Sequence, residues 1–395
     1  TAKWKNEIWK DGIANIDEHL NGWAQGATSI YATDIEKHVW AMNEVQRFFI
    51  EQTRLGIPVD FTNEGLRGVA APVATSFPSQ LGVGHTWDPD LVREIGRITG
   101  REARALGYTN VYAPTLDVTR DQRWGRVEDT YGEDPFIASR LGVEMVKGLQ
   151  ENYTVASTAK HFVVYSATKG ARGSEARTDP QISPREVESI FVPPFAAAIR
   201  EAGLLGVMSS YNDYDGIPIT GSKYWLTDRL RKDLGFKGYV VSDSGAVEFL
   251  YNKHGVATHM KEAVQQAMEA GLNVKTNFTQ PADFILPLRE LVKEGKVSMK
   301  TLDDRVREVL RVKFQIGLFD RPYITDAKAT AALVNSAAHQ RVALRAARES
   351  IVLLKNDSNV LPLSKSIKSI AVIGPNADDS SLTNYRYGPS AVKSV

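Results

Sequence analysis

The sequence has no cysteine, so neither a disulfide scaffold nor a thiolate metal site can be built from it. That absence leaves the compartment open, because a large core needs no cross-links. Charge of one sign is also missing in excess: 48 Lys plus Arg against 47 Asp plus Glu give a formal net charge of +1. A chain so balanced lacks the basic face that grips phosphate backbones, and no nucleic-acid partner is expected. No window approaches the roughly 20 apolar residues that a membrane-spanning helix needs, so no membrane partner is expected either. Thr1-Ala2-Lys3-Trp4 carries no apolar signal core, and the missing initial Met fits a processed mature form as well as a trimmed one. Internal repeats and low-complexity tracts are absent, which excludes solenoids and linkers of biased composition.

What remains is an ordinary globular composition, 43% hydrophobic and 24% charged, in a chain longer than one hydrophobic core usually supports. One large domain plus part of another is expected. From about residue 57 to 278, short β-rich runs alternate with helical stretches, the pattern of parallel strands joined by crossover helices. The candidate strands are Ile57 to Thr62, Asn110 to Leu116, Val155 to Phe162, Gly206 to Tyr211, Gly238 to Ser242 and Leu272 to Thr276. Asp88-Pro89 and Asp134-Pro135 each place a capping side chain before a proline at the first helical position. Ser183-Pro184-Arg185-Glu186 reads as a capping box opening a helix that continues through Ala196 to Ile199 and stops at Gly203.

So many βα units predict a (β/α)₈ TIM-like barrel, α/β in class, with an open doubly wound sheet as the alternative; six strands can be counted. The barrel is expected over residues 1–320 and a linker over 321–345. The beginning of a second α/β sandwich domain follows over 346–395, with strands at Ser350 to Leu354, Leu361 to Leu363 and Ile370 to Ile373.

Barrel enzymes carry their chemistry where strands end and the following loops begin. Polar residues at those places are Glu64, Asp117, Lys160, His161, Tyr211 and Asp243. The ionisable pair Lys160-His161, directly after an apolar run, is costly to bury without an anionic partner or ligand. His85, His254 and His259 show no partner at ligand spacing and read as structural or surface residues. With no clustered ligand set and no phosphate-binding loop, neither a metal nor a cofactor is implied.

Six segments, in order, resemble the signature of glycoside hydrolase family 3. They are Asp117-Val118-Thr119-Arg120-Asp121-Gln122-Arg123-Trp124-Gly125-Arg126, Tyr131-Gly132-Glu133-Asp134-Pro135, Ala159-Lys160-His161-Phe162, Met208-Ser209-Ser210-Tyr211-Asn212, Gly216-Ile217-Pro218 and Val241-Ser242-Asp243. Each alone is weak; the ordered set is specific. Gly374-Pro375-Asn376-Ala377 resembles the opening of that family's second domain.

The resemblance implies a retaining exo-glycosidase that releases terminal β-D-glucose from an oligosaccharide or glycoside substrate through a covalent glycosyl-enzyme. Such chemistry needs a carboxylate nucleophile and a second carboxyl group about 5 to 5.5 Å away. Asp243 matches the nucleophile. Arg126, Lys160 and His161 are then expected to keep it ionised and to hold sugar hydroxyls. Glu64 matches the acid that binds outer hydroxyls of the terminal sugar, Tyr211 would bond the nucleophile or the ring-oxygen region, and Asp117 and Arg67 complete the substrate-binding set. Arg126 and Asp117 read equally as a buried ion pair that shapes the loop.

Several positions depart from the family pattern. Arg67 stands where histidine is common, Ser244 where tryptophan is common, and Asn273 and Lys275 where acids are frequent. Val163-Val164-Tyr165-Ser166-Ala167-Thr168 replaces the glycine- and histidine-rich loop of the single-domain branch, which is set aside. By resemblance the acid/base glutamate belongs to the second domain, so these 395 residues alone are expected to be nearly inactive on unactivated glycosides. A β-xylosidase is the neighbouring reading. A Schiff-base aldolase on Lys160 and a non-catalytic sugar-binding barrel are the distant ones. The resemblance also points to the periplasm or the cell exterior, and it accommodates a homodimer.

Overall fold

Short apolar runs joined by helices hide both faces best when they lie parallel under those helices. The computed structural model describes residues 2–21, 29–167, 179–276, 280–374 and 377. Six parallel strands pair in chain order: β1 (Asn15–Asp17), β2 (Asp60–Glu64), β3 (Asn110–Tyr112), β4 (Ala156–Phe162), β5 (Gly206–Ser209) and β6 (Tyr239–Ser242). A bridge from Val241 to Val274 extends the wall by one more segment. A doubly wound sheet reverses its strand order at a switch point, and this order never reverses, so the sheet is a barrel wall.

The connecting helices are α1 (Ile35–Gln52), α2 (Pro89–Ala105), α3 (Pro135–Leu149), α4 (Pro193–Ala202), α5 (Ala246–Asn252), α6 (Met260–Ala270), α7 (Ala282–Lys293) and α8 (Met299–Gln315). Most of them start at a side-chain cap, with α4, α5 and α7 the exceptions. Asp88 accepts from the Leu91 amide at 3.0 Å, and Asp134 from Phe136 and Ile137 at 2.7 and 3.2 Å, satisfying amides that a helix start leaves free. Ser183 caps Glu186 as expected, but the helix it opens passes through a π-turn at Val187–Phe191 before α4. Helices α2 and α3 cross closely because a side chain is missing: a Cβ at Gly148 would lie 2.3 Å from the Arg93 carbonyl oxygen.

Three expectations are corrected. The strand expected over Leu272 to Thr276 shrinks to the Val274 bridge, while β1 supplies a strand that no apolar run announced. Between α7 and α8 the chain only turns, so among the described residues no eighth strand closes the wall. A cavity of about 540 Å³, lined by Trp9, Ile16, Val274, Phe284, Leu288 and Val309, occupies that gap.

The third correction concerns the segment after the connector. Residues 321–345 are largely helical and held to the barrel: α9 (Ala327–Leu333) and α10 (Ala337–Glu349) follow α8, and Asn43 exchanges two hydrogen bonds with the Ile324 backbone, at 2.8 and 2.9 Å. The strands expected at 350–354, 361–363 and 370–373 are absent, and Ile351, Leu354 and Ile373 are 78, 90 and 91% exposed. A strand needs an edge to pair with, and no such edge faces this segment among the described residues. Pro375, Asn376 and Thr168 lie outside the described residues.

Under the N-terminal ends of the strands lies a polar floor. Asp60 accepts from the Thr109 hydroxyl, from Asn110 at 3.3 Å and from Tyr239 at 3.4 Å, all buried. Lys313 of α8 reaches in to donate to the Pro58 carbonyl at 2.7 Å.

Candidate active site

The parallel strands carry their C-terminal residues to one end of the barrel, where Glu64, Lys160, His161 and Asp243 meet. A regular pleat would turn Lys160 and His161 to opposite faces. The register of β4 against β5 breaks between Ala159 and Phe162, and both side chains reach partners at the mouth. Lys160 Nζ lies 2.6 Å from each Glu64 oxygen, and both residues are buried.

His161 is held from three sides. Asp117 Oδ2 accepts from its backbone N–H at 2.9 Å and from Nδ1 at 2.7 Å. Arg126 NH1 lies 2.9 Å from Nε2, and because guanidinium only donates, Nε2 accepts and Nδ1 carries the proton. Arg126 itself pairs with Asp129, Nε to Oδ2 at 2.9 Å, and Asp117 with His161. The alternative reading of an Arg126–Asp117 ion pair is therefore corrected, although the Arg126 charge still lowers the Asp117 carboxyl. Burial pushes Asp117 up to about 7, against the His161 amide and Arg126, with the Asp243 charge adding to the rise.

Asp243 follows β6. Its amide donates to the Ser209 carbonyl at 3.1 Å and its carbonyl accepts from Ala246 at 3.0 Å, so backbone bonds fix where the side chain starts. Oδ1 accepts from the Ser244 amide at 2.7 Å. Oδ2 lies 3.5 Å from His161 Nε2 and is buried without a hydrogen-bond partner among the described residues. Burial raises this carboxyl above the ordinary aspartate value, while Lys160, Arg126, the Tyr211 hydroxyl and the Ser244 amide pull it down. The surrounding cations thus oppose the effect of burial without cancelling it. Tyr211 sits over this group with its ring 5.5 Å from those of Tyr165 and Phe249. Burial, then the Asp243 charge, raises its hydroxyl well above the ordinary value.

The loop after β2 folds back on Glu64, with the Ala70 amide bonded to the Glu64 carbonyl at 2.8 Å. Arg67 is delivered to the same end, buried and 3.1 Å from Glu128, next to the Arg126–Asp129 turn but not in an ion pair with Asp243. Asn273 faces outward to Arg231 and Glu308, and Lys275 pairs with Glu248 at 2.7 Å beside the side cavity.

Sequence reading passed over several neighbours. His254, read as structural or surface, lies with Nε2 2.9 Å from the Tyr211 carbonyl. Trp124 and Tyr165 pack edge-to-face at 5.2 Å, with the Tyr165 ring 5.0 Å from His161. Asp17 accepts from the Thr62 hydroxyl at 2.7 Å beneath Glu64. Burial pushes Asp17 up to about 6 and Glu18 up to about 8, with neighbouring carboxylates adding to both. The adjacent acids after Asn15-Ile16 were the signal available for this pair.

Chemically, the mouth offers the unpartnered Asp243 Oδ2 as a nucleophile, cations around it, and a hydroxyl donor. Neither Glu64 nor Asp117 is placed as a proton donor for a departing group: both Glu64 oxygens are engaged by Lys160, and Asp117 is turned into His161 with a side-chain exposure of 1%. Among the described residues no group of three His, Cys, Asp or Glu is arranged to hold a metal, and no helix is long and apolar enough to cross a membrane.

Comparisons with known proteins agree with this geometry. Residues 17–312 match the model of the glycosyl hydrolase family 3 N-terminal domain, and residues 351–394 that of its C-terminal domain. A β-xylosidase of Formosa agariphila is 37% identical over 347 residues, 82% of this chain and 47% of that protein. The periplasmic β-glucosidase of Salmonella typhimurium is 37% identical over 346 residues, 85% of this chain and 44% of that one. Among solved structures, a β-glucosidase of Erythrobacter marinus superposes with a TM-score of 0.87 at 33% identity, covering 98% of this chain and 50% of its own. The Listeria innocua β-glucosidase in complex with glucose gives 0.79 at 36%, covering 88% and 47%. The chain spans about half the length of the relatives it matches. A family model covering most of the chain, a barrel whose mouth gathers the matching side chains, and relatives of like architecture place this chain in glycosyl hydrolase family 3.

Proposed function

We propose that this chain is the barrel half of a retaining, exo-acting β-glycosidase that releases terminal non-reducing β-D-glucose through a covalent bond to Asp243. The observation that carries the reading is the buried, unpartnered Asp243 Oδ2 beside His161, Arg126 and Tyr211. In the first step Oδ2 bonds to the anomeric carbon, the glycosidic C–O bond breaks, and the departing oxygen takes a proton from a carboxylic acid. In the second step water, giving its proton to the same carboxylate, displaces Asp243 with net retention. Glu64, Lys160, His161, Arg126, Arg67 and Asp117 would bind or orient the sugar hydroxyls, and Tyr211 would hold the nucleophile.

Glu64 and Asp117 are both committed to other partners, and this reading takes the acid carboxyl from outside the described residues. The family match that resumes at residue 351 supports a second domain as its source. On this reading the barrel occupies 1–320, residues 321–345 join it to that domain, and the second domain begins near 346. Similarity to a periplasmic relative supports a location in the periplasm or outside the cell.

Proton NMR of nitrophenyl β-glucoside hydrolysis by the complete enzyme tests the mechanism: β-glucose must appear before mutarotation, and α-glucose appearing first rejects it. The 37% identity to a β-xylosidase favours xylose as a second reading. Relative kcat/KM on nitrophenyl glucoside and xyloside decides, because the two sugars differ by the C6 hydroxymethyl group.

A further inference from the structure

Outside the mouth, the most heavily bonded buried acid among the described residues is Glu102 of α2, 0% exposed. Its Oε2 accepts from the Thr75 amide at 2.8 Å. Its Oε1 accepts from the Thr75 hydroxyl at 2.7 Å, the Asn335 amide at 2.8 Å and His339 Nδ1 at 2.6 Å. Replacing a buried charge together with its bonding partners by apolar side chains is often neutral for stability, so the presence of Glu102 is better explained by what it joins.

The donors come from two distant parts of the chain. Thr75 lies in the loop after β2: the Phe77 amide bonds the Arg67 carbonyl at 3.0 Å, and at Gly68, with φ +91°, a Cβ would lie 2.1 Å from the Thr75 carbonyl oxygen. Moving Thr75 therefore moves Arg67. Asn335 and His339 form the turn from α9 into α10, the last helix before the match to the C-terminal domain begins at residue 351.

We propose that Glu102 is a positioning residue that locks the substrate loop carrying Arg67 to the start of α10, and so sets where the second domain delivers its proton-donating carboxyl. Helix α10 has 13 residues. It is thus roughly 20 Å long, and a tilt of about 5° at its anchored end displaces its far end by nearly 2 Å. A misplacement of about 1 Å at a reacting centre can cost on the order of 10²-fold in rate. The inference rests on the glycosidase reading with the acid in the second domain.

The test uses a chain carrying the whole second domain and compares kcat/KM across aryl β-glucosides of increasing leaving-group pKa. A glutamine at position 102 sets its NH₂ against at least one N–H donor whichever way it turns, and the latch loosens. For Glu102→Gln, kcat/KM on a phenyl or alkyl glucoside falls at least about tenfold, while dinitrophenyl glucoside, which needs no proton, stays within about twofold. His339→Ala, which removes one linker-side bond, shifts the same ratio by about threefold and decides the matter if Glu102→Gln does not fold. An equal loss on every leaving group, or an unchanged ratio in both variants, overturns the proposal while leaving the glycosidase reading intact. Wild-type protein inert on all β-glycosides sinks that reading, and this inference with it.

Discussion

Strand β2 ends in an acid at both sides, Asp60 at the floor of the barrel and Glu64 at the mouth, and the two surroundings differ in one instructive way. The floor completes its bonds internally: Asp60 takes three neutral donors, Lys313 reaches a carbonyl, and nothing points to a ligand. At the mouth the pairs Lys160–Glu64 and His161–Asp117 are equally tight, yet they surround an aspartate with an oxygen left bare. Burial alone therefore does not distinguish a structural charge from a reactive one; what separates these two ends is the unmet oxygen of Asp243 among the mouth's cations.

The comparison is broken most severely by Asp243→Asn. In the complete enzyme kcat/KM should fall on the order of 10⁴-fold, with stability to urea unchanged or slightly raised, since the substitution removes a charge that burial disfavours. Lys160→Met should cost about 3 to 5 kcal/mol by leaving Glu64 buried and unpaired, and Glu64→Gln in the same chain should recover most of it, as read from urea midpoints. At the floor, Asp60→Asn should cost about 2 kcal/mol and leave kcat/KM within about threefold well below the melting temperature. A large activity loss there would erase the distinction between the two ends.

The smallest effect concerns pH. Burial lowers Lys313 from 10.5 to about 8, with the Asp60 charge opposing. Between those values the folded chain binds fewer protons than the unfolded one, so this group adds stability as pH rises from about 8 and withdraws it as pH falls. Urea unfolding at pH 8 and 9.5 should show that increment in the native chain, and Lys313→Met should lack it.

How much of this was legible in the sequence depended on how local the signal was. Asp88-Pro89 and Asp134-Pro135 carry their caps within four residues, and both helices begin there. Strand β1, Asn15–Asp17, has one apolar residue in three and exists because β2 offers an edge, which no short window can reveal. The apolar run at 350–354 shows the converse, since its pattern suits a strand but it lacks an edge to join. In the site, Lys160, His161 and Asp243 were readable as polar residues after apolar runs. That Arg126 takes Asp129 and leaves Asp117 to His161 follows from the turn at residues 126–129, and Glu102 collects partners up to 237 positions away.

The central claim is that Asp243, held at the barrel mouth with one oxygen free, forms the bond to the sugar. Incubation of the complete enzyme with an activated 2-deoxy-2-fluoro-β-glucoside, followed by peptide mass spectrometry, addresses it directly. The account predicts one fluoroglucosyl group per chain on the peptide containing Asp243 and loss of activity in step with labelling. A label on another carboxylate, or turnover of the probe with no adduct at all, would contradict it.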